Sequence, residues 1–548
     1  MPLSRVNPPA WLRWTVLLIL GLAIGHTVVM ITRLHGWSLP LMALAWLGLA
    51  WRLGWGAPPP PRLYVRVIPW SLIPLVFWGI YVYLANSFGK VDMSAVYFHL
   101  QAGIAEHGGS GRIIAAVVYT LGMGVVLSAY TWLVRHDYRW HRKDHWLAII
   151  LLVGNPMFYS LGQRGAAVVA DPGAWLERHY VTPVILDAPR RPPNLLVVYM
   201  ESLERTYSDQ ARFGDAYDDI RELGQDALVF EDVRQLNNTG WTMAGMIASQ
   251  CGTPLMPAGL LHDSQFDPLH HVVPGVRCLG DLLSEQGYQL VFMGGASTEF
   301  AGKGLFYRDH GFDRVLGREQ LTPRLEDPEY LNSWGLYDDS LFDLVEEEVA
   351  RLDDEPGPWG LVALNLSAHA PAGYPAKACQ QRQGDYDGVD ILYAVKCSTW
   401  LTRRLIERLE RSGHLDNTVV MIASDHLTMR VSAWDQLIQG PRTNTLMLMG
   451  DELEPGVVST PATTMDTLPT LLEAMGFTID WHRAGLGVSL LTQEPPLIKR
   501  YGLEALNERM REETALQERL WQGLEPQLQG ETGQPTTPPK VPVSPEQP

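Results

Sequence analysis

The chain has 548 residues, a formal net charge of −17 and 46% hydrophobic residues. That length exceeds one compact domain, so at least two parts are expected. An acidic balance with no basic stripe in the second part argues against nucleic acid as a partner.

Read in chain order, the first 165 residues differ sharply from the rest. They carry apolar runs at 11–31, 37–51, 67–84, 113–134 and 146–161, separated by basic or Gly/Pro-rich connections. A membrane span needs roughly 20 apolar residues. The fifth run is shorter and holds Asn155-Pro156. A cleaved signal peptide explains the first run poorly, because further runs come after it. The pattern predicts a multi-pass α-helical membrane anchor over 1–165, of about five spans. Arg5, Arg13, Arg52, Arg62, Arg66, Arg135, Arg139, Arg142 and Lys143 cluster at one set of connections, and the other loops are poorer in Lys and Arg. Positive-inside logic therefore puts the N-terminus in the cytoplasm. Five spans place the rest of the chain outside the cytoplasm and four would place it inside, so the fifth run decides the topology.

A linker over 166–193 leads to an α/β domain over 194–490 with a mainly parallel central sheet, because strand-like and helix-like segments alternate there. Asn194-Leu-Leu-Val-Val-Tyr-Met200 is a strand-length apolar run ending at Glu201-Ser202. Next, Asn237-Asn-Thr239-Gly-Trp-Thr242 feeds a small-residue helix. Backbone N–H groups at such a helix start stabilise negative charge, and a hydroxyl there beside a divalent cation can become a nucleophile. The plainer reading makes Thr239 or Thr242 an N-cap. A strand at 290–293 runs into Gly294-Gly295, and another at 361–366 runs into Ser367-Ala-His369. Helices are expected at 339–352 and 395–412, the second stopped by Gly413. A late strand, Thr418 to Ser424, delivers Asp425-His426. Sites in open α/β sheets form at the C-terminal ends of strands, and Glu, Asp and His together suit a divalent metal. Each residue also has an ordinary structural reading: Glu201 as a cap or partner of Arg205, Asp425 bonding local backbone, His369 as a loop histidine, Lys303 as a solvated lysine, Trp334 as packing.

All four cysteines, Cys251, Cys278, Cys379 and Cys397, lie in the second part. An even number confined there fits two disulfides in an oxidising compartment. Three pairings are open; the neighbouring pairs, Cys251–Cys278 and Cys379–Cys397, each close a short loop. Residues 491–548 begin as a helical segment and end in a Pro-rich tail expected to be disordered.

The order strand–Glu-Ser, Thr at a helix start, then Ser-Asp-His after a late strand resembles the alkaline phosphatase/sulfatase superfamily. Within it the chain is similar to the membrane-anchored lipoteichoic acid synthase branch. The matching stretches are Tyr199 to Tyr207, Thr242 to Gly252, Phe300 to Gly304, Trp334-Gly-Leu-Tyr-Asp338-Asp and Ala423-Ser-Asp-His426. The resemblance is strongest to members that place phosphoglycerol on osmoregulated periplasmic glucans. It implies a sulfatase-like domain in the periplasm, anchored in a bacterial inner membrane. It further implies Glu201, Thr242, Asp425 and His426 as ligands of one divalent metal, Mn²⁺ ahead of Mg²⁺ or Zn²⁺, with Thr242 also the nucleophile. His369 is implied as a substrate contact, with Lys303, Trp334 and Asp338 also expected to be substrate-binding; the chemistry of the imidazole adds a catalytic role for His369, protonating the leaving alkoxide. Phosphatidylglycerol is the implied donor and a periplasmic β-glucan the acceptor.

Two departures stand out. Lys303 falls where the lipoteichoic acid synthases have an arginine, which replaces a bidentate fork with a point charge. The chain also ends soon after the domain, where glucan-modifying members continue, so functions of that further region are not carried over. A true sulfatase needs Cys or Ser in C/S-x-P/A-x-R, and Cys251-Gly-Thr-Pro-Leu255 fails it in two positions. The other readings are a phosphoethanolamine transferase acting on lipid A, with the same anchor, metal and threonine, and a noncatalytic membrane-bound sensor or scaffold.

Overall fold

The computed structural model describes residues 174–256, 270–382 and 390–522, with isolated helical positions at Phe77, Tyr81 and Ile149. But for those three positions, the apolar runs predicted to span a membrane lie outside the described residues. Among the described residues no helix is long and apolar enough to cross a membrane.

Eight strands form the central sheet: β1 (Asn194–Met200), β2 (Leu228–Phe230), β3 (Gln289–Gly294), β4 (Arg314–Leu316), β5 (Trp359–Leu364), β6 (Thr418–Ser424), β7 (Leu446–Met449) and β8 (Gly456–Val458). Their spatial order is β8-β2-β7-β6-β1-β5-β3-β4. Only β7 runs against its neighbours. β1 sits at the centre, in parallel register with β5 on one side and β6 on the other.

The apolar run of β1 explains that place. Residues at alternate positions face opposite sides of a sheet, and here both sides are covered. Leu195, Val197 and Tyr199 join one core with helices α2 (Thr242–Cys251), α3 (Leu279–Glu285) and α7 (Thr467–Ala474). Leu196, Val198 and Met200 join the other with α1 (Asp218–Leu223), α5 (Asp338–Asp353) and α6 (Asp390–Arg411). A seventh helix of this set, α4 (Lys303–Asp309), comes after β3.

The expected strand at 361–366 is shifted: β5 spans Trp359–Leu364, because Asp338 takes the N–H groups of Leu366 and Ser367 out of the ladder. The helix expected at 395–412 begins five residues earlier, at Asp390.

The described part of the expected linker is folded onto the domain. Leu176 is fully buried, and Ile185–Asp187 pairs antiparallel with Thr478–Ile479. The segment after 490 joins the same core through Leu497, Ile498, Leu506, Met510, Leu516, Leu520 and Trp521. The two termini of the described domain meet, since the Glu513 carboxylate accepts the Leu176 N–H at 2.7 Å and Arg519 pairs with Glu177. Disulfides join Cys251 to Cys278 and Cys379 to Cys397. The first ties the end of α2 to the start of α3; the second holds the middle of α6. The tail beyond 522 lies outside the described residues.

Candidate active site

The central strands deliver the site's candidate ligands at their C-terminal ends. Glu201 comes directly after β1, and Asp425 and His426 directly after β6; all three are almost completely buried. Their ligand atoms lie within 4.8 Å of one another. His426 Nε2 is 3.5 Å from Glu201 Oε1 and 3.4 Å from Asp425 Oδ2. Asp425 Oδ2 and His426 Nε2 are buried without a hydrogen-bond partner among the described residues. Buried polar atoms are normally paired, so these two orphans facing the Glu201 carboxylate mark the place of a cation. The His426 ring agrees with this: its Nδ1 faces the Leu427 carbonyl at 2.8 Å, which makes Nδ1 the donor and leaves the Nε2 lone pair aimed inward. The donor set fits a divalent cation of the Mn²⁺, Mg²⁺ or Zn²⁺ class.

Ser202 binds both carboxylates. Its N–H donates to Asp425 Oδ1 and its hydroxyl to Glu201 Oε1, each at 2.8 Å. It does so from a left-handed backbone, φ 56°, held by the Thr428 hydroxyl donating to the Ser202 carbonyl at 2.6 Å. The Thr428 carbonyl is in turn held by Arg442, whose guanidinium forks onto the buried Glu204. Arg205, the other partner open to Glu201, pairs with Glu231.

Electrostatically the cluster is strained. Burial alone would raise the Glu201 carboxyl, but His369, His426 and the Ser202 hydroxyl outweigh it and hold it at about 2. Burial and the charge on Glu201 push Asp425 up to about 7. Burial would lower His426, yet Asp425 and Glu201 raise it to about 9. A bound cation relieves the repulsion between the carboxylates and competes with the imidazole proton.

Thr242 is the first residue of α2 rather than its cap. The N-cap is Trp241, whose side chain makes no capping bond. Thr239 is turned into its own loop, bonding the Leu236 N–H and C=O. Three residues on from Thr242, Gly245 lies against the Asp425 backbone, and residues three apart share a helix face. The start of α2 is thereby seated beside the ligand cluster. Tyr199 of β1 fixes the other end, its hydroxyl 2.6 Å from Ser249 Oγ.

Lys303, at the start of α4, is buried. Burial lowers its ammonium to about 8, against the pull of Glu201, Glu319 and Asp425. Its Nζ lies 4.8 Å from the Phe300 ring centroid. Phe300 meets Trp334 edge-on at 5.4 Å, and Trp334 lies 4.3 Å from the His369 ring. Lys303, Phe300, Trp334 and His369 thus form one wall. His369 Nδ1 faces the Ala370 carbonyl at 2.8 Å, which makes Nδ1 the donor there.

Asp338 stands behind that wall with no exposed surface. Its Oδ1 accepts the N–H groups of Leu366 and Ser367, and its Oδ2 accepts the Ser398 hydroxyl at 3.1 Å. The sequence alone does not mark Ser202, Asn365, Ser398 and Thr428 as parts of a site; only Ser202 has a signal there, its place directly after Glu201.

A family model described as Sulfatase matches residues 193–477. The chain belongs to the sulfatase family. Among curated relatives, phosphoglycerol transferase I of Shigella boydii is 31% identical over 425 residues, covering 74% of this chain and 55% of the relative. Phosphoglycerol transferase I of Citrobacter koseri is 32% identical over 413 residues, covering 73% and 54%. The chain therefore spans about half the length of the curated relatives it matches. Among solved structures, a lipoteichoic acid synthase from Listeria monocytogenes aligns at 17% identity with a TM-score of 0.44, covering 59% of this chain and 82% of that one. In this chain the Cys251 sulfur is closed in a disulfide, and Thr242 stands at the start of α2.

Proposed function

We propose that this chain transfers phosphoglycerol from phosphatidylglycerol to a periplasmic β-glucan, through a covalent glycerophospho-threonine at Thr242, and releases diacylglycerol. The observation that carries this reading is the packing of Gly245, three residues on from Thr242 at the first position of α2, against the Asp425 backbone of a buried Glu201–Asp425–His426 cluster. The names of the curated relatives supply the transferred group. Sulfatase chemistry is disfavoured because the cysteine of that region is consumed in a disulfide.

Glu201, Asp425 and His426 would hold one divalent cation, Mn²⁺ by resemblance, with Thr242 completing the set. Once bound, the ion lowers the pKa of a ligating hydroxyl and neutralises phosphoryl charge. The remaining work falls to side chains. Thr242 Oγ1 attacks phosphorus, losing its proton to solvent, and the bond from phosphorus to the diacylglycerol oxygen breaks. His369 Nε2 gives that oxygen its proton. Lys303 sets a positive charge near the oxygens where negative charge develops. In the second half a glucan hydroxyl attacks phosphorus and passes its proton to His369. The phosphorus–Thr242 bond breaks, and the threonine takes back a proton from solvent.

The predicted spans over 1–165 would hold the enzyme in the inner membrane beside its lipid donor and raise the donor's effective concentration. Two disulfides in the described domain support a periplasmic location. The test uses full-length protein, Mn²⁺, phosphatidylglycerol labelled in its head-group glycerol, and β-glucan oligosaccharide. Label moving to the glucan with release of diacylglycerol is the expected result. Turnover of phosphatidylethanolamine instead would replace phosphoglycerol by phosphoethanolamine as the transferred group.

A further inference from the structure

The ends of β1 and β5 are joined by a chain of hydrogen bonds that is almost completely buried. The Glu201 N–H donates to Asn365 Oδ1 at 2.7 Å, and Asn365 Nδ2 donates to Ser398 Oγ at 2.7 Å. The Ser398 hydroxyl donates to Asp338 Oδ2 at 3.1 Å. The other oxygen of Asp338 takes the N–H groups of Leu366 and Ser367 at 2.9 and 3.0 Å. Asn365 and Asp338 have no exposed surface, and Ser398 has 1%. The chain starts on a ligand residue and ends under the turn that carries His369. Its middle member, Ser398, is next to Cys397, whose disulfide to Cys379 pins that stretch of α6.

We infer that Asp338 is a positioning residue: through Ser398 and Asn365 it fixes the backbone of Glu201, and through Leu366 and Ser367 it fixes the turn bearing His369. This rests on the metal site and transfer reaction proposed above. A group without exposed surface, whose two oxygens accept three hydrogen bonds from the protein, is not available to a substrate. A carboxylate is the side chain that can accept at both ends of this arrangement at once. An amide in its place offers one oxygen and turns an N–H₂ group toward Ser398, which leaves the Ser398 hydroxyl proton without its acceptor. Groups that orient metal ligands from behind typically change metal affinity or activity by about 10–100-fold when removed.

The experiment compares full-length parent, Asp338→Asn and Ser398→Ala, titrating Mn²⁺ by calorimetry and measuring kcat and KM for phosphatidylglycerol. Both variants are expected to bind Mn²⁺ more weakly, Asp338→Asn by about 10–100-fold and Ser398→Ala by less. kcat should fall while the donor KM stays at the parental value. Parental Mn²⁺ affinity with a raised donor KM in Asp338→Asn would overturn the inference and make Asp338 a substrate contact. Should Asp338→Asn fail to fold, Ser398→Ala decides alone, because it cuts the link and leaves Asp338 on the backbone: parental affinity and kcat overturn the inference. A parent that takes up no Mn²⁺ fails at the earlier step, the metal site itself, and the inference falls with it.

Discussion

Gly245 of α2 and Asp425 after β6 touch backbone to backbone: a Cβ at residue 245 would lie 1.6 Å from the Asp425 carbonyl oxygen. This contact sets the distance between α2, which carries the proposed nucleophile Thr242, and the candidate ligand cluster. In a free helix, alanine is better than glycine by up to about 1 kcal/mol. Here the clash with backbone wins, so Gly245→Ala should lower stability by about 1–3 kcal/mol or more and abolish transfer. Thermal unfolding and lipid turnover measured together check it. An alanine variant with parental activity would separate α2 from the site.

Ser202→Ala removes a hydroxyl from Glu201 but keeps the N–H to Asp425. The expected effect is Mn²⁺ affinity weakened by about 10–100-fold with the fold intact, read by calorimetry and circular dichroism. Unchanged affinity would mean that Thr428 and the backbone alone position the two carboxylates.

Metal uptake should depend on pH with a definite sign. Without metal, His426 is raised to about 9 by Asp425 and Glu201, which overcome the lowering by burial. Its proton must leave before Nε2 can ligate, so affinity rises with pH and levels near 9, by about tenfold per pH unit above about 7 and more steeply below it, where Asp425 also gives up a proton. Calorimetry in buffers of different ionisation heat counts the protons released. No proton release at neutral pH contradicts the assignment of His426 as a ligand.

The alkaline side of the activity profile is expected to follow Lys303. Burial depresses its ammonium to about 8, so a role that needs the charge is lost as pH rises through that value. Lys303→Arg keeps its charge at any accessible pH, and the alkaline limb should move up or vanish. A parental limb retained in the arginine variant would assign that titration to another group.

Much of this site is legible in the sequence because each ligand ends a long apolar run. Asn194–Met200 and Thr418–Ser424 are continuous buried strands, and topology brings the residues just past the end of such a strand to the site edge. The cysteine pairs likewise lie close in sequence. The Asn365–Ser398–Asp338 chain is not legible there, since it links residues from three elements whose approach depends on tertiary packing. Ser202 is visible only as a neighbour of Glu201; nothing local announces a left-handed serine braced from Thr428. The segment at 174–193 reads as a linker and the one after 490 as a helical segment, and neither shows in sequence what it packs on; yet Leu176, Leu506 and Trp521 are buried against the domain, because each finds its apolar partners far away in the chain.

The proposed reaction stands or falls with Thr242 as the covalent nucleophile. The measurement is mass spectrometry of the Thr242 peptide after full-length protein is mixed with Mn²⁺ and phosphatidylglycerol in the absence of glucan and then acid-quenched. The expected result is a glycerophosphoryl adduct on Thr242 that disappears when glucan is added before quenching, and none in Thr242→Ala. Diacylglycerol release at the parental rate by Thr242→Ala, or an adduct on another residue, would contradict it.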